Sequence, residues 1–70
     1  MRARERQIRR LREEAGYGLN AFARSVGVDP SHLSRIERQQ ARPSPEVLKR
    51  IADGLGVAIK EIASHEEEKQ

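Results

Sequence analysis

Apolar positions along this chain recur at intervals of three and four residues, the spacing that places side chains on one face of an α-helix. No segment alternates apolar and polar residues as a half-buried strand does, and no internal repeat is visible. The pattern predicts an all-α fold in which Tyr17 packs into the core. Its five helices are predicted over about residues 3–15, 19–26, 30–39, 45–55 and 58–64.

Residues suited to helix ends mark these boundaries. Asp29 can accept hydrogen bonds from the free amides of the third helix, and Pro30 at its first position loses only an amide that has no partner. Ser44 and Pro45 repeat this pattern before the fourth helix. Gly27 tolerates the positive φ of a sharp corner, so the second and third helices are joined by a tight turn.

The third predicted helix has two faces of different chemistry. Leu33 and Ile36 are three residues apart and lie on the inward side. The opposite side carries hydrogen-bonding groups, from Ser31, Ser34, Arg35 and Arg38. A helix that follows a tight corner and presents such a face is suited to reading base edges in a DNA groove.

Length and composition limit the architecture. Seventy residues make one small domain, and the chain has no cysteine for a disulfide or a thiolate metal site. We expect the folded domain to span residues 1–64. Residues 65–70, HEEEKQ, are too polar to pack and are predicted to be a disordered tail.

Several function classes are disfavoured by the same composition. Charged residues make up 36% of the chain, and no apolar run is long enough for a membrane span or a signal peptide, so we expect a soluble cytoplasmic protein. His32 and His65 are far apart and lack the spacing of metal ligands. We therefore predict no enzymatic activity, no cofactor and no metal.

Charge is unevenly distributed along the chain. The formal net charge is +3, yet residues 1–12 contain six arginines against Glu5, and residues 61–70 contain four glutamates against Lys69. Clustered arginine suits a polyanionic partner, because neutralised phosphates release their counterions. The alternative for the N-terminal cluster is a solvated helix face.

Three stretches of sequence then point to a family: IRRLREEAGY, FARSVGV, and LSRIER with RPSPEVLKRIADGLGV after it. Over roughly residues 6–62 the chain resembles the helix-turn-helix repressors of the phage lambda repressor, Cro and Xre type. The resemblance implies a compact five-helix, lambda-repressor-like DNA-binding domain, with the helix-turn-helix at helices 2 and 3. Its implied partner is double-stranded DNA.

The resemblance also implies which residues contact DNA. The start and exposed face of the third helix, about residues 30–39, enter the major groove. Arg35 is the strongest candidate, since a guanidinium can donate two hydrogen bonds to one guanine. The predicted base contacts are Pro30, Ser31, Ser34 and Arg35. The predicted backbone contacts are Gly18, Asn20, His32, Arg38, Gln40 and Arg42, although an exposed histidine such as His32 is often a bystander.

The chain departs from the family pattern at two informative positions. Leu19 stands where the family often has a DNA-contacting glutamine. Gln39 stands where the family usually has the glycine that ends the third helix, so the turn either keeps a left-handed residue, at a cost of roughly 1 kcal/mol, or is reshaped by one residue. The resemblance further suggests a structural ion pair between Glu37 and Arg12.

A single helix-turn-helix reads about one half-site, so we expect a homodimer on an inverted-repeat operator. The fifth helix is the candidate interface, because its surroundings carry more apolar surface than a small monomer can hide. The predicted interface residues are Leu55, Val57, Ile59 and Ile62. For Ile62, completion of the core is an equal alternative.

These observations predict a sequence-specific, double-stranded DNA-binding transcriptional regulator that acts as a repressor. The alternative is a protein-interaction module, such as an antitoxin or adaptor, in which DNA binding is secondary. The partner protein of such a module is unknown. Loss of Arg35, Arg38 and Arg42 discriminates between the two, because it abolishes DNA binding and leaves a protein partner on the fifth helix unaffected.

Overall fold

The computed structural model describes the backbone of residues 3–63 and the side chains of residues 7–63. Four α-helices and one 3-10 turn follow one another, and none of the described residues forms a strand. The all-α prediction is therefore confirmed for this part of the chain. The elements are α1 (Ala3–Glu14), α2 (Leu19–Ser25), α3 (Pro30–Glu37), α4 (Pro45–Leu55) and the 3-10 turn (Ile59–Glu61).

The predicted fifth helix is present only as the 3-10 turn, so the count of five α-helices is not confirmed. Ala58 precedes this turn and has no side-chain oxygen to cap it. The Glu61 amide donates to the Ala58 carbonyl at 2.9 Å, which is the i to i+3 bond of a 3-10 turn. Ser64, the predicted end of the helix, and the predicted tail over 65–70 lie outside the described residues.

The hydrophobic core forms where the inward faces of the helices meet. Phe22 and Ala23 of α2 pack with Leu33 and Ile36 of α3, as the spacing predicted. Burying one such large apolar side chain contributes about 1.5 to 3 kcal/mol. The complete buried cluster is Ile8, Phe22, Ala23, Val28, Leu33, Ile36, Ile51, Ala52 and Ile62.

Tyr17 does not join this core, and that prediction was wrong. Its side chain is 45% exposed, and its ring lies against Phe22 with the two centroids 5.3 Å apart. Its backbone is fixed instead, because the Tyr17 amide donates to the Arg12 carbonyl at 3.0 Å and the Arg12 guanidinium donates to the Tyr17 carbonyl at 2.9 Å. The turn between α1 and α2 is therefore held at the Tyr17 backbone, by one main-chain bond and by one bond from the Arg12 side chain.

The ion pair between Arg12 of α1 and Glu37 of α3 is present, as predicted. Arg12 Nε and Nη2 donate to the two Glu37 carboxylate oxygens at 2.8 and 2.9 Å. Only 7% of the Arg12 side chain and 4% of the Glu37 side chain are exposed. The hydrogen bond to Glu37 raises the pKa of Arg12 above its ordinary value. One guanidinium thus links α1, the following turn and α3.

The end of α3 keeps the left-handed geometry that glycine gives in the family. Gln39 has φ 65°, and it is the one described non-glycine residue with positive φ. The Gln40 amide then donates to the Arg35 carbonyl at 2.8 Å, which closes the helix end. For this reason α3 ends at Glu37, two residues before the predicted end. A left-handed glutamine costs about 1 to 2 kcal/mol, which the surrounding packing must offset.

Gly54 of α4 lies close to Phe22 of α2 and to Val26 just after it, a contact that no local sequence pattern predicts. A Cβ at Gly54 would overlap with Cγ1 of Val26 and would lie 3.1 Å from Cε1 of Phe22. Gly54 lies inside α4, where glycine is otherwise unfavourable. The close approach of α4 to Phe22 and Val26 therefore explains why glycine occupies position 54, although it lowers the helix propensity of α4.

We predict that Gly54→Ala destabilises the protein. Helix propensity alone would give a gain of about 1 kcal/mol, but overpacking a core contact costs about 1 to 3 kcal/mol. Urea unfolding followed by circular dichroism measures the sign. In a Val26→Ala background the same substitution becomes less costly, because the overlapping methyl group is gone. A higher midpoint for Gly54→Ala alone would show that α4 can move away from α2.

We also predict a large loss of stability for Glu37→Ala. The substitution leaves the buried Arg12 guanidinium without its carboxylate, and breaking a buried pair in this way costs about 3 to 5 kcal/mol. Glu13→Ala is the control, because it removes an exposed carboxylate whose pair with Arg9 contributes less than about 1 kcal/mol. Equal urea midpoints for the two variants would contradict the structural role of the pair.

Candidate nucleic-acid interface

We refer to α3 as the reading helix, because it is the helix predicted to enter the major groove. It begins at a well-formed cap. Asp29 has extended backbone angles, φ −63° and ψ 133°, and its Oδ2 accepts hydrogen bonds from the amides of Ser31 at 3.1 Å and His32 at 3.3 Å. The Ser31 hydroxyl donates to the same oxygen. These bonds, led by that of the Ser31 side chain, hold the pKa of Asp29 below its ordinary value. The start of α3 is therefore rigidly defined.

The corner that places α3 against α2 is held from α4. Gly27 has φ 74°, as expected for a tight corner, and its carbonyl accepts a hydrogen bond from Arg50 Nη1 at 3.3 Å. Arg50 also pairs with Glu46, one turn away on α4, at 3.1 Å. This role of Arg50 is not predictable from the sequence, because no local pattern links residues 23 positions apart.

The exposed side of α3 brings the four predicted base contacts onto one surface. Leu33 and Ile36 are fully buried, whereas Arg35 is exposed on the opposite side. Pro30 and Ser34 are half-buried, and Ser31 is exposed. Because the Ser31 hydroxyl donates to Asp29, it retains acceptor capacity toward a ligand.

Positively charged side chains on and after α3 differ from those on α1 and α4 in whether they form ion pairs. In the described part of the chain, Arg35, Arg38 and Arg42 form no ion pair within 4.0 Å of a carboxylate, although the charge of Arg35 interacts with Asp29 at longer range. Arg24 on α2 is likewise exposed and unpaired. On α1 and α4, by contrast, exposed cations pair with a carboxylate four residues away, in Arg9–Glu13, Arg10–Glu14, Lys49–Asp53 and Arg50–Glu46. The positive charge near α3 is thus available to an external anion.

The predicted backbone contacts lie at the start of α2 and around the two ends of α3. Gly18 caps α2 without a side chain, with φ −74° and ψ 157°, and Asn20 is exposed in the first turn. His32 is half-buried near the start of α3. At the other end, Arg38 Nε donates weakly to the Ser34 carbonyl at 3.4 Å. Gln40 and Arg42 follow and are exposed.

The predicted dimer surface needs one correction. Ile62 is 0% exposed and belongs to the core of the monomer, so it has no area to offer a second copy. Its place in the interface was wrong, and the alternative that it completes the core is confirmed. Ile59 is 41% exposed, and Leu55 and Val57 are half-buried against the core. These three residues form an apolar surface beside the end of α4.

Among the described residues, no group of three or more histidine, cysteine, aspartate or glutamate side chains is placed to hold a metal ion. In the same part of the chain, none of the helices combines the length and the apolar character that a membrane crossing requires.

Comparison with known proteins places this geometry in context. A family model described as a helix-turn-helix domain matches residues 6–64. The chain is 36% identical over 61 residues to the uncharacterized HTH-type transcriptional regulator YazB of Bacillus subtilis (strain 168), and the match covers 87% of this chain and 88% of that protein. No solved structure gives a significant match.

The chain is also similar to two HTH-type transcriptional regulators named SinR. The identity is 35% over 63 residues with the protein of Bacillus licheniformis, covering 89% of this chain and 57% of that one. It is 39% over 54 residues with the protein of Bacillus subtilis (strain 168), covering 76% and 49%. The chain therefore spans about half the length of these two relatives.

We predict that Asp29 stabilises the reading helix in a pH-dependent way. Because the folded state lowers the pKa of this carboxyl, its contribution is complete above the pKa of the unfolded chain and is lost as the pH falls through the lower folded pKa. Asp29→Ala is therefore less stable than the natural protein at pH 7, and the gap narrows on acidification below about pH 4.

Thermal unfolding across the acid range measures this gap. Asp29→Asn is the matched control, since asparagine caps a helix as well as aspartate and does not titrate. We expect the stability of Asp29→Asn relative to Asp29→Ala to stay constant with pH. A constant gap between the natural protein and Asp29→Ala would contradict the prediction.

Proposed function

The chain belongs to the helix-turn-helix family of DNA-binding transcriptional regulators, and we propose that it represses transcription by binding an operator with α3 in the major groove. The family match ends at residue 64, which supports a DNA-binding domain over residues 1–64 and a separate tail over 65–70.

The observation that carries this proposal is the unpaired positive charge beside α3. Arg35, Arg38 and Arg42 lie on α3 and the segment after it, and none of them forms an ion pair within 4.0 Å in the described part of the chain. A duplex offers phosphate charges along both strands, and neutralising them releases counterions. Cations that are already paired gain less from such contacts. The face that the fold presents to a groove is thus also the face with free guanidinium groups.

Specificity is assigned to the exposed side of α3. Arg35 is a freely exposed guanidinium that can donate two parallel hydrogen bonds to O6 and N7 of a guanine. The Ser34 hydroxyl can donate a hydrogen bond to a base edge or accept one from it. The Ser31 hydroxyl can accept one while it donates its own hydrogen bond to Asp29. Pro30 offers only apolar contact, for instance to a thymine methyl group. Arg35 is therefore expected to set the most strongly selected base pair.

Residues at the margins of this face are assigned to the DNA backbone. The first amides of a helix have no partner within it, so the start of α2 at Gly18 and Asn20 presents donors. Arg38, Gln40 and Arg42 supply donors at the other end. Contacts of this kind, which also include His32, position a protein on the duplex without reading sequence.

We further propose that two copies bind an inverted repeat in the cytoplasm. One reading helix covers a half-site, and two-fold related half-sites lie about one helical turn, roughly 34 Å, apart. The exposed Ile59, with the half-buried Leu55 and Val57, is the apolar surface proposed for self-association. The antitoxin or adaptor alternative would use this surface without requiring the arginines of α3.

The proposal is tested by selection from a pool of random duplexes, with the natural protein and with Arg35→Ala. We expect an enriched inverted repeat for the natural protein. Arg35→Ala should lose preference at one base pair in each half-site, which corresponds to about 1 to 3 kcal/mol of discrimination. Lys49→Ala is the control, because it also removes one positive charge, from a paired and exposed position on α4.

The outcomes separate the candidate functions. An unchanged motif after Arg35→Ala would reject Arg35 as a base reader. Failure of the natural protein to enrich any sequence, together with weak binding to all duplexes, would favour the protein-interaction alternative. Loss of the motif in Lys49→Ala to the same degree would show that general charge, rather than the face of α3, governs recognition.

A further inference from the structure

A groove between α1 and the end of α3 is not explained by the helix-turn-helix itself. It has a volume of about 340 Å³ and is lined by Arg9 from α1 and by Glu37, Arg38 and Gln39 from α3 and its end. Two arginines, one from α1 and one from the end of α3, thus line one open depression. Arg9 stands outside the corner and the reading helix, and none of the contacts assigned above uses it.

The charges around this groove leave it positive. Both carboxylate oxygens of Glu37 accept hydrogen bonds from Arg12, so this acidic lining residue is already compensated. Glu13 pairs with Arg9 at 3.0 Å, but both side chains are more than half exposed, so the pair is weak. Arg38 has no carboxylate partner in the described part of the chain. The two arginines that line the groove, Arg9 and Arg38, therefore exceed its one glutamate, Glu37, by one charge.

The two bordering arginines are held in similar ways. Arg9 uses Nε to donate to Glu13, one turn along α1, and Arg38 uses Nε to donate to the Ser34 carbonyl, one turn back along α3. Their Nη groups donate to nothing else that the structure describes. Each guanidinium is thus tethered to its own helix and keeps donors for a ligand. An oxyanion with several acceptor oxygens can satisfy donors from both sides.

The position of the groove indicates which kind of anion it would bind. Arg38 lies one helical turn beyond Ser34 and three residues beyond Arg35, at the end of the face assigned to the major groove. A helix in the major groove lies between the two sugar-phosphate backbones, so the end of its reading face meets a phosphate. The groove therefore opens where DNA backbone is expected, which favours a phosphodiester over a free anion.

We propose that the groove binds one phosphate of the DNA backbone between Arg9 and Arg38, which extends the DNA contact surface onto α1. This inference rests on the proposed function, since it requires DNA on α3. The Arg9–Glu13 pair competes with the phosphate for the same guanidinium. Glu13 therefore weakens DNA binding, and Arg9 fixes the angle of the domain on the duplex without reading bases.

Arg10 provides a matched control for the test. Arg9 and Arg10 are neighbours on α1, both side chains are 63% exposed, and each pairs with a glutamate four residues later. Only Arg9 lines the groove. The measurement is the binding constant for the selected duplex as a function of salt concentration. Circular dichroism and thermal unfolding establish that the variants remain folded.

We expect Arg9→Ala to reduce the slope of log K against log salt by about 0.9, the value for one phosphate contact, and to weaken binding roughly fivefold at 0.15 M salt. Arg10→Ala should leave the slope unchanged. The losses from Arg9→Ala and Arg38→Ala should not add, because both side chains hold the same phosphate. Glu13→Gln should raise affinity more than Glu14→Gln, since it releases Arg9.

Equal slopes for Arg9→Ala and Arg10→Ala would overturn the inference, and so would additive losses for Arg9 and Arg38. These failures differ from failure of the proposed function. If the natural protein selects a motif that Arg35→Ala loses, while Arg9→Ala behaves like Arg10→Ala, only the phosphate site is rejected. If the natural protein selects no motif, the proposed function itself is rejected.

Discussion

The buried ion pair between Arg12 and Glu37 is the constraint on which the placement of the reading helix depends. Removing two charges from water costs several kcal/mol for each ion, and only good geometry with further hydrogen bonds offsets that cost. Here both carboxylate oxygens are bound, and a third guanidinium donor, on Nη1, reaches the Tyr17 carbonyl. Other registers of α1 against α3 would leave a buried charge unsatisfied. The pair therefore selects one arrangement of the two helices.

Around this fixed pair, left-handed residues set where α3 begins and ends. Gly27 turns the chain before α3, and Gln39 ends it two residues after Glu37. The proximity of Gln39 to Glu37 shows how a glutamine can occupy a conformation that costs about 1 to 2 kcal/mol. The buried pair holds the end of α3 in place, so an alternative turn would disturb Glu37. The strained conformation of Gln39 is thus tolerated because the buried ion pair fixes the position of Glu37 two residues earlier.

Features that depend on residues within one helical turn could be predicted from the sequence, whereas features that depend on the packing of the helices could not. Asp29–Pro30 and Ser44–Pro45 act within one helical turn, and the starts of α3 and α4 follow from them directly. Family resemblance supplied the Arg12–Glu37 pair. The contact of Gly54 with α2 depends on how two helices pack, so no local pattern reveals it. The weak 3-10 turn and the burial of Ile62 depend on tertiary packing in the same way.

The exposed ion pairs of the described residues lie on α1 and α4 and not on α3. A surface pair between residues four apart contributes only about 0.3 to 0.5 kcal/mol, so such pairs explain little of the stability of α1 and α4. For the pairs Arg10–Glu14, Lys49–Asp53 and Arg50–Glu46, which lie outside the proposed DNA contacts, the larger effect is electrostatic, because each neutralises a cation that would otherwise attract anions to another face. Arg35, Arg38 and Arg42 form no such pairs in the described part of the chain, so their charges on and after α3 remain available to a polyanion. In this way acidic residues far from the reading face help to orient the domain on a polyanion.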